Sequence, residues 1–330
     1  TAEAFSAPEK FTQFCSNRGK PLAGLVGGNE VPGSMNAVFD VINPGTHDVL
    51  ARVSEMGYDE VNDAVQAGYR AFNGGWKDTP VEKRTELIMK LVELFERDLD
   101  VLMAFEILNG GKVSELANGD LTHFRACAEY FADVALSMQF GDGPTMQLEG
   151  GMKAYSYVEP WGVVAGIIPW NYPVVLSAWF MIPALIAGNC ILLKPSEETP
   201  LSALYLGKLA EEAGFPAGVV NVLPGRGELT GKFISEHPGV RYIAFTGSPG
   251  VGQAILQAAD RHGTRLKREM GGNGSAIVLA DANPEVVARM IGKNANQHYG
   301  QTCSTIHRVF AQREIYDDFL EATESFMKNL

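Results

Sequence analysis

Between residues 163 and 279, short apolar runs alternate with stretches of helical length, and no other feature restricts the chain as much. Residues 163–168, 190–193, 219–222 and 242–245 have strand length, and 266–270 and 276–279 complete the series. Between them, 173–187, 201–213, 228–236 and 251–259 have helical length and patterning. The first four runs are apolar apart from Asn221, which predicts strands buried on both faces. Strand–helix alternation of this kind predicts an α/β fold, a doubly wound parallel sheet of Rossmann type covered on both sides. Such sheets hold ligands in the crevice at the carboxyl ends of their strands.

The flanking sequence adds smaller elements. The first 140 residues read as a short β and loop segment followed by helices. Leu87, Leu91, Leu94, Phe95 and Leu102 recur at helical spacing with charges between them. Residues 141–160 are glycine-rich and then β-favouring at Tyr155, Tyr157 and Val158, which predicts an exposed hairpin or sheet extension. Helices are expected near 285–296 and 315–328.

Composition narrows the function classes. The chain has 330 residues, 46% hydrophobic and 20% charged, as a globular protein does. Its net charge of −12 argues against a nucleic-acid or anionic-membrane partner. The cysteines are Cys15, Cys127, Cys190 and Cys303, with no C-x-x-C pair to suggest zinc or another metal. A core-rich chain of this size does not need disulfides, so a reducing, cytoplasmic setting is expected. No apolar run reaches the ~20 residues of a membrane span, and the longest, 174–186, contains Pro183.

The polar candidates lie at or after strand ends. In "IIPWNYP", Asn171 either caps the next helix or donates its amide to an oxyanion; taken alone, the cap is the commoner role. In "LLKPSEETP", Lys194, Ser196 and Glu197 are either a solvated surface or a ribose-binding group. "FTGSPGVG" has glycines between strand and helix, suited to phosphate but not in the usual dinucleotide spacing. Glu269 precedes Gly271-Gly272 and is either a turn acid or a general base. Cys303, in "GQTCS", is either a packing residue or a nucleophile.

In this order and at these intervals, the segments resemble the aldehyde dehydrogenase superfamily. "INPGT", "EPWGVVAGIIPWNYP", "AGNCILLKPSEETPLSAL" and "EEAGFPAGVVNVLPGRG" extend the resemblance over nearly the whole chain. It implies NAD-dependent oxidation of a small-molecule aldehyde to a carboxylic acid. Cys303 would attack the carbonyl, Asn171 and the Cys303 N–H would hold the oxyanion, and Glu269 would activate the water that hydrolyses the thioester. Lys194, Ser196 and Glu197 match ribose contacts, and Gly225 a close approach to adenine. Ile168, Trp170, Phe245, Gly247, Ser248 and Gly271 match further cofactor positions. Tyr172, Trp179 and Thr302 match the substrate pocket. The Glu197 carboxylate favours NAD over NADP, although some relatives with this segment take both.

The resemblance also implies the domain plan. Residues 1–140 and 161–270 would form the NAD-binding domain, 141–160 an oligomerisation hairpin, and 271–330 the start of a second, catalytic α/β domain. The full-length form would be a homo-dimer or homo-tetramer. Phe180 stands where most relatives carry a lysine near the catalytic water, so a proton path through that lysine is absent. His298 and Tyr299 also depart from the family pattern, and His298 reads as a packing substitution or a proton relay. Relatives usually continue beyond the position of Leu330 through an E-x-F-G-P segment whose acid holds the nicotinamide ribose. The rival expectation is a shortened, non-catalytic relative that binds nucleotide or serves as an interaction protein. Acyl transfer to coenzyme A is a third, against which Glu269 argues.

Overall fold

The computed structural model describes residues 5–138 and 141–330. Thirteen strands are described: β1 Gly24–Val26, β2 Asn29–Val31, β3 Val38–Ile42, β4 Val49–Ser54, β5 Gly141–Gln147, β6 Lys153–Val158, β7 Val163–Ile167, β8 Cys190–Lys194, β9 Val220–Val222, β10 Tyr242–Gly247, β11 Arg265–Met270, β12 Gly274–Val278 and β13 Ile306–Ala311. The α-helices are α1 Glu9–Ser16, α2 Tyr58–Asn73, α3 Val81–Arg97, α4 Leu99–Ala104, α5 Ser114–Ser137, α6 Pro173–Ile186, α7 Leu201–Ala213, α8 Lys232–Glu236, α9 Pro249–Asp260, α10 Pro284–Asn296 and α11 Tyr316–Lys328. The chain forms two compact units, residues 1–246 with 250–268, and residues 247–249 with 269–330.

The first unit is built on a seven-stranded sheet in the order β11-β10-β7-β8-β9-β1-β2. Strands β10, β7, β8 and β9 are parallel, as the alternation predicts. Every residue of β7 and β8 is buried, because helices cover both faces. Gly166 in β7 lets α6 lie close: a Cβ there would stand 3.0 Å from the Phe180 Cβ. Phe180 is accordingly a core residue at 8% exposure, so nothing like a lysine's proton path starts from this position. Register brings three strand ends level, since Ile167 pairs with both Lys194 and Phe245. The loops that follow β7 and β8 therefore leave the sheet side by side.

Three features differ from the sequence expectation. The N-terminal β segment supplies β1 and β2, which extend the sheet antiparallel beyond β9. The helix expected over 228–236 begins as a π turn, Gly227–Gly231, before α8. β13 had no counterpart in the sequence reading, yet it pairs in parallel with β12 in the second unit. There α10 and α11 bury Ala288, Ile291, Ile315 and Phe319 with Val278 of β12. Asn283 caps α10, accepting from the Val286 N–H at 3.1 Å.

The hairpin expected over 141–160 is β5–β6, antiparallel from Gly141↔Val158 to Gln147↔Lys153. Met146, Tyr155 and Tyr157 are exposed on it. Among the described residues, no helix is long and apolar enough to cross a membrane. The most apolar, α6, has 14 residues and is almost wholly buried.

Candidate active site

In the first unit, two loops meet at the level strand ends. The loop after β7 is held at its start by the Ile168 N–H, which donates to Lys194 O at 3.0 Å. Its middle is held by Thr199 Oγ1, which donates to Trp170 O at 3.3 Å. The loop after β8 is tightened by Ser196, whose Oγ accepts from the Glu198 N–H at 3.3 Å.

Lys194 and Glu197 form an ion pair across the second loop. The Lys194 Nζ is buried, donates to Pro195 O at 2.8 Å and reaches Glu197 Oε2 at 3.3 Å. Burial pushes the Lys194 ammonium below its ordinary value despite that carboxylate. Burial alone would raise the Glu197 carboxyl; the Lys194 charge and backbone N–H groups outweigh it and hold it below the usual range. Glu197 Oε1 also accepts from the Gly227 N–H at 3.3 Å. The outcome is an ionised, half-exposed acceptor on a buried cation.

Gly225 lies against the same region with φ 153°. A Cβ there would fall 1.9 Å from Thr230 Oγ1, and Thr230 is fixed by donating to Met56 O at 2.6 Å. The chain's own packing therefore requires this glycine, whatever else approaches it.

Two predicted positions do not present side chains. Ile168 and Phe245 are 2% and 3% exposed and belong to the core cluster, so their side chains serve packing. Asn171 does not occupy the cap position of α6. That position is Tyr172, with φ −135° and ψ 62° and no side-chain cap bond, followed by Pro173. The half-buried Asn171 amide thus stands in the loop ahead of the helix. Trp179 is 46% exposed, but its indole N–H donates to His123 Nε2 of α5 at 2.9 Å. It is committed to α5, which the substrate-pocket expectation did not foresee.

In the second unit, Glu269 is exposed near the end of β11. The Gly271 N–H donates to Gly247 O at 3.4 Å, and the exposed Ser248 follows Gly247 just before α9. Cys303 is at the tip of a turn closed by the Thr305 N–H on Thr302 O at 3.1 Å. Thr302 Oγ1 donates to Gln297 O at 3.4 Å. Of the four cysteines, Cys303 is exposed and the rest are buried. Burial pushes the thiols of Cys15 and Cys190 up to about 12 and that of Cys127 up to about 11. The segment before Cys303 is strained: His298, Tyr299 and Gly300 have φ of 50°, 57° and 81° in succession. A left-handed non-glycine residue costs roughly 1–2 kcal/mol and is kept where the surroundings or function demand it. His298 is buried and Tyr299 is exposed.

A buried charge cluster beside these loops went unnoticed in the sequence. Glu106, Lys112 and Asp120 are 0%, 3% and 5% exposed. Lys112 Nζ binds Glu106 Oε2 at 2.5 Å and also Asp120 Oδ2, and it stands over the Tyr172 ring, 4.7 Å from the centroid. Burial drives Glu106 and Asp120 upward, whereas two carboxylates overcome the desolvation of Lys112 and keep it charged. The available signal was the pair of opposite charges in "FEILNGGK", inside an otherwise apolar stretch.

Residues 31–330 match the model of the aldehyde dehydrogenase family. An aldehyde dehydrogenase of Emericella nidulans is 40% identical over 304 residues, covering 91% of this chain and 60% of that protein. Aldehyde dehydrogenase 1A1 of Mus musculus is 40% identical over 288 residues, covering 86% of this chain and 57% of that one. The NAD+ complex of an aldehyde dehydrogenase from Bacillus cereus has a TM-score of 0.93 at 34% identity, over 99% of this chain and 66% of that chain. The chain thus spans about 60% of the length of the curated relatives it matches. Matched to the family from residue 31 to residue 330, the chain belongs to the aldehyde dehydrogenases.

Proposed function

We propose that the protein oxidises an aldehyde to a carboxylic acid with NAD, using Cys303 as nucleophile. The observation that carries this is the state of the four cysteines. Three are buried thiols, and the fourth is exposed on a turn tip behind a strained left-handed segment. Strain kept beside an exposed thiol favours a reactive over a packing role.

Residues at and after the strand ends would fit a dinucleotide. Glu197 is an ionised, half-exposed acceptor suited to ribose hydroxyls, and its charge opposes a 2′-phosphate. Lys194 and Ser196 would support that contact, and Ser248 with Gly247 would serve the phosphates. Trp170 and Gly271 would contribute their backbone. Bound NAD supplies the hydride acceptor.

The Cys303 thiolate forms a C–S bond to the aldehyde carbon, and the carbonyl electrons move to oxygen. The Asn171 amide donates to that oxyanion. Loss of hydride from the carbon restores the carbonyl as a thioester. Glu269 takes a proton from water, the water oxygen bonds to the thioester carbon, and the C–S bond breaks to return the thiolate. Water as acceptor distinguishes this from acyl transfer to coenzyme A. Thr302 and Tyr172 would border the aldehyde, and β5–β6, with Met146, Tyr155 and Tyr157 exposed, would join subunits. In the same proposal the NAD-binding domain is 1–140 with 161–270, and the catalytic domain begins at 271.

The test is a single-turnover measurement with an aldehyde and NAD, followed by intact-mass analysis. A burst of NADH with an acyl increment on Cys303 is expected. A Cys303→Ala variant that forms NADH at the wild-type rate would refute the assignment.

A further inference from the structure

The loop that carries Asn171 and the loop that carries Glu197 are both tied to the π turn Phe105–Asn109, the first of them through Lys112. Glu106 binds Lys112, and Lys112 lies against the ring of Tyr172, just ahead of α6. Asn109, three residues on, donates from Nδ2 to Glu198 O at 2.8 Å. Lys112, which follows the turn, binds Glu106 and Asp120 and supports the Tyr172 ring from one face.

Stability alone does not explain this arrangement. A π turn is rare and recurs at functional sites. Burying two carboxylates against one ammonium costs desolvation that their attraction does not fully return. Glu106 Oε1 has no hydrogen-bond partner among the described residues, so the cluster is incompletely satisfied. What the cluster does provide is position. The first turn of α6 receives no side-chain cap from Tyr172; the Tyr172 ring rests instead against Lys112, which Glu106 holds. The direction of the Asn171 amide depends on where that helix starts and where the Tyr172 ring rests.

We propose that Glu106 and Lys112 are positioning residues for the loop that carries Asn171, and that Asn109 is the positioning residue for the loop that carries Glu197. The assignment rests on the proposed function for its chemical consequence, but its structural content is independent of turnover. A displacement near 1 Å in such a loop is worth roughly 10²-fold in rate. The two arms therefore separate kinetically. Glu106→Ala should lower kcat by roughly 10-fold to 100-fold while the dissociation constant for NAD stays within about threefold. Asn109→Ala should weaken NAD binding by roughly 5-fold to 10-fold with a smaller effect on kcat.

Hydrogen exchange on the full chain, without substrate, tests the positions directly. In Glu106→Ala, amides in 171–176 should exchange about tenfold faster, with 196–199 unchanged. In Asn109→Ala, the pattern should reverse. Glu106→Gln, which retains an acceptor for Lys112, should restore most of the protection. If Glu106→Ala does not fold, Tyr172→Leu removes the ring over Lys112 without touching the buried charges, and the same stretch should loosen. Unchanged exchange at 171–176, or an even rise across the first unit, overturns the proposal. Wild-type NADH formation, measured alongside, judges the proposed function separately. Its failure leaves the exchange result to stand or fall alone.

Discussion

The Lys194 ammonium is buried at the end of β8 and lies 3.3 Å from Glu197 Oε2, while the Glu197 carboxylate remains half-exposed. The lysine therefore holds the acid ionised and leaves it able to accept. Replacing Glu197 by Gln removes the charge that opposes a 2′-phosphate. Preference should shift toward NADP by an amount on the order of 1–2 kcal/mol, read from the ratio of the two dissociation constants. The pH dependence follows from the sign of the shift. The folded-state carboxyl sits below its ordinary value, so its contribution is complete above that value and lost as pH falls through the folded one. NAD affinity should be flat from neutral pH down to about 4.3, the ordinary glutamate value, and fall only below it.

Alkylation should distinguish the cysteines without any turnover. With iodoacetamide at neutral pH, the folded chain should take one adduct, on Cys303. The thiols of Cys15, Cys127 and Cys190 are buried and pushed up to about 12, 11 and 12, so thiolate is scarce there. Peptide mass mapping reads the result. Prior labelling of Cys127 or Cys190 would contradict the exposure pattern.

Glu269 should separate hydride transfer from hydrolysis. Phe180 is in the core and offers no base, so the proposed mechanism assigns deacylation to Glu269. Glu269→Gln should keep the NADH burst and lower the steady-state rate by roughly 10²–10⁴-fold. Acyl-enzyme should then accumulate on Cys303. Steady turnover at the wild-type rate would make Glu269 a turn residue only.

Asp98 should dominate acid stability in the first unit. Burial alone would raise its carboxyl, but Arg97, Lys10 and Tyr205 bond it and together hold it well below the usual range. Lys10 Nζ lies at 2.6 Å, and Arg97 Nη2 and Tyr205 OH lie at 2.8 Å. The pKa is depressed on folding, so stability from Asp98 is present above its unfolded value and lost as pH falls through the folded one. Asp98→Asn should cost about 1–3 kcal/mol at neutral pH, with the difference from wild type shrinking below pH about 4. Urea unfolding at pH 7 and pH 3 measures both.

The sequence by itself determined the parallel core and its order of elements. Helix α7 spans Leu201–Ala213, as the pattern predicts, and β7, β8 and α6 lie within a residue or so of their expected limits. These elements are legible because continuous apolar runs and helical periodicity are local properties, strongest where both faces are buried. Tertiary structure alone decided what depends on distant partners. β1 and β2 join the sheet antiparallel because β9 has an open edge, and three-residue strands carry no period to announce this. Trp179 turns to His123, 56 residues away in sequence, and Tyr172 rather than Asn171 takes the helix cap. Glu106, Lys112 and Asp120 look in sequence like scattered surface charges, and only folding buries them together. Short-range patterns record which face of an element is dry, whereas pairing, capping and buried charge depend on which other element supplies the partner.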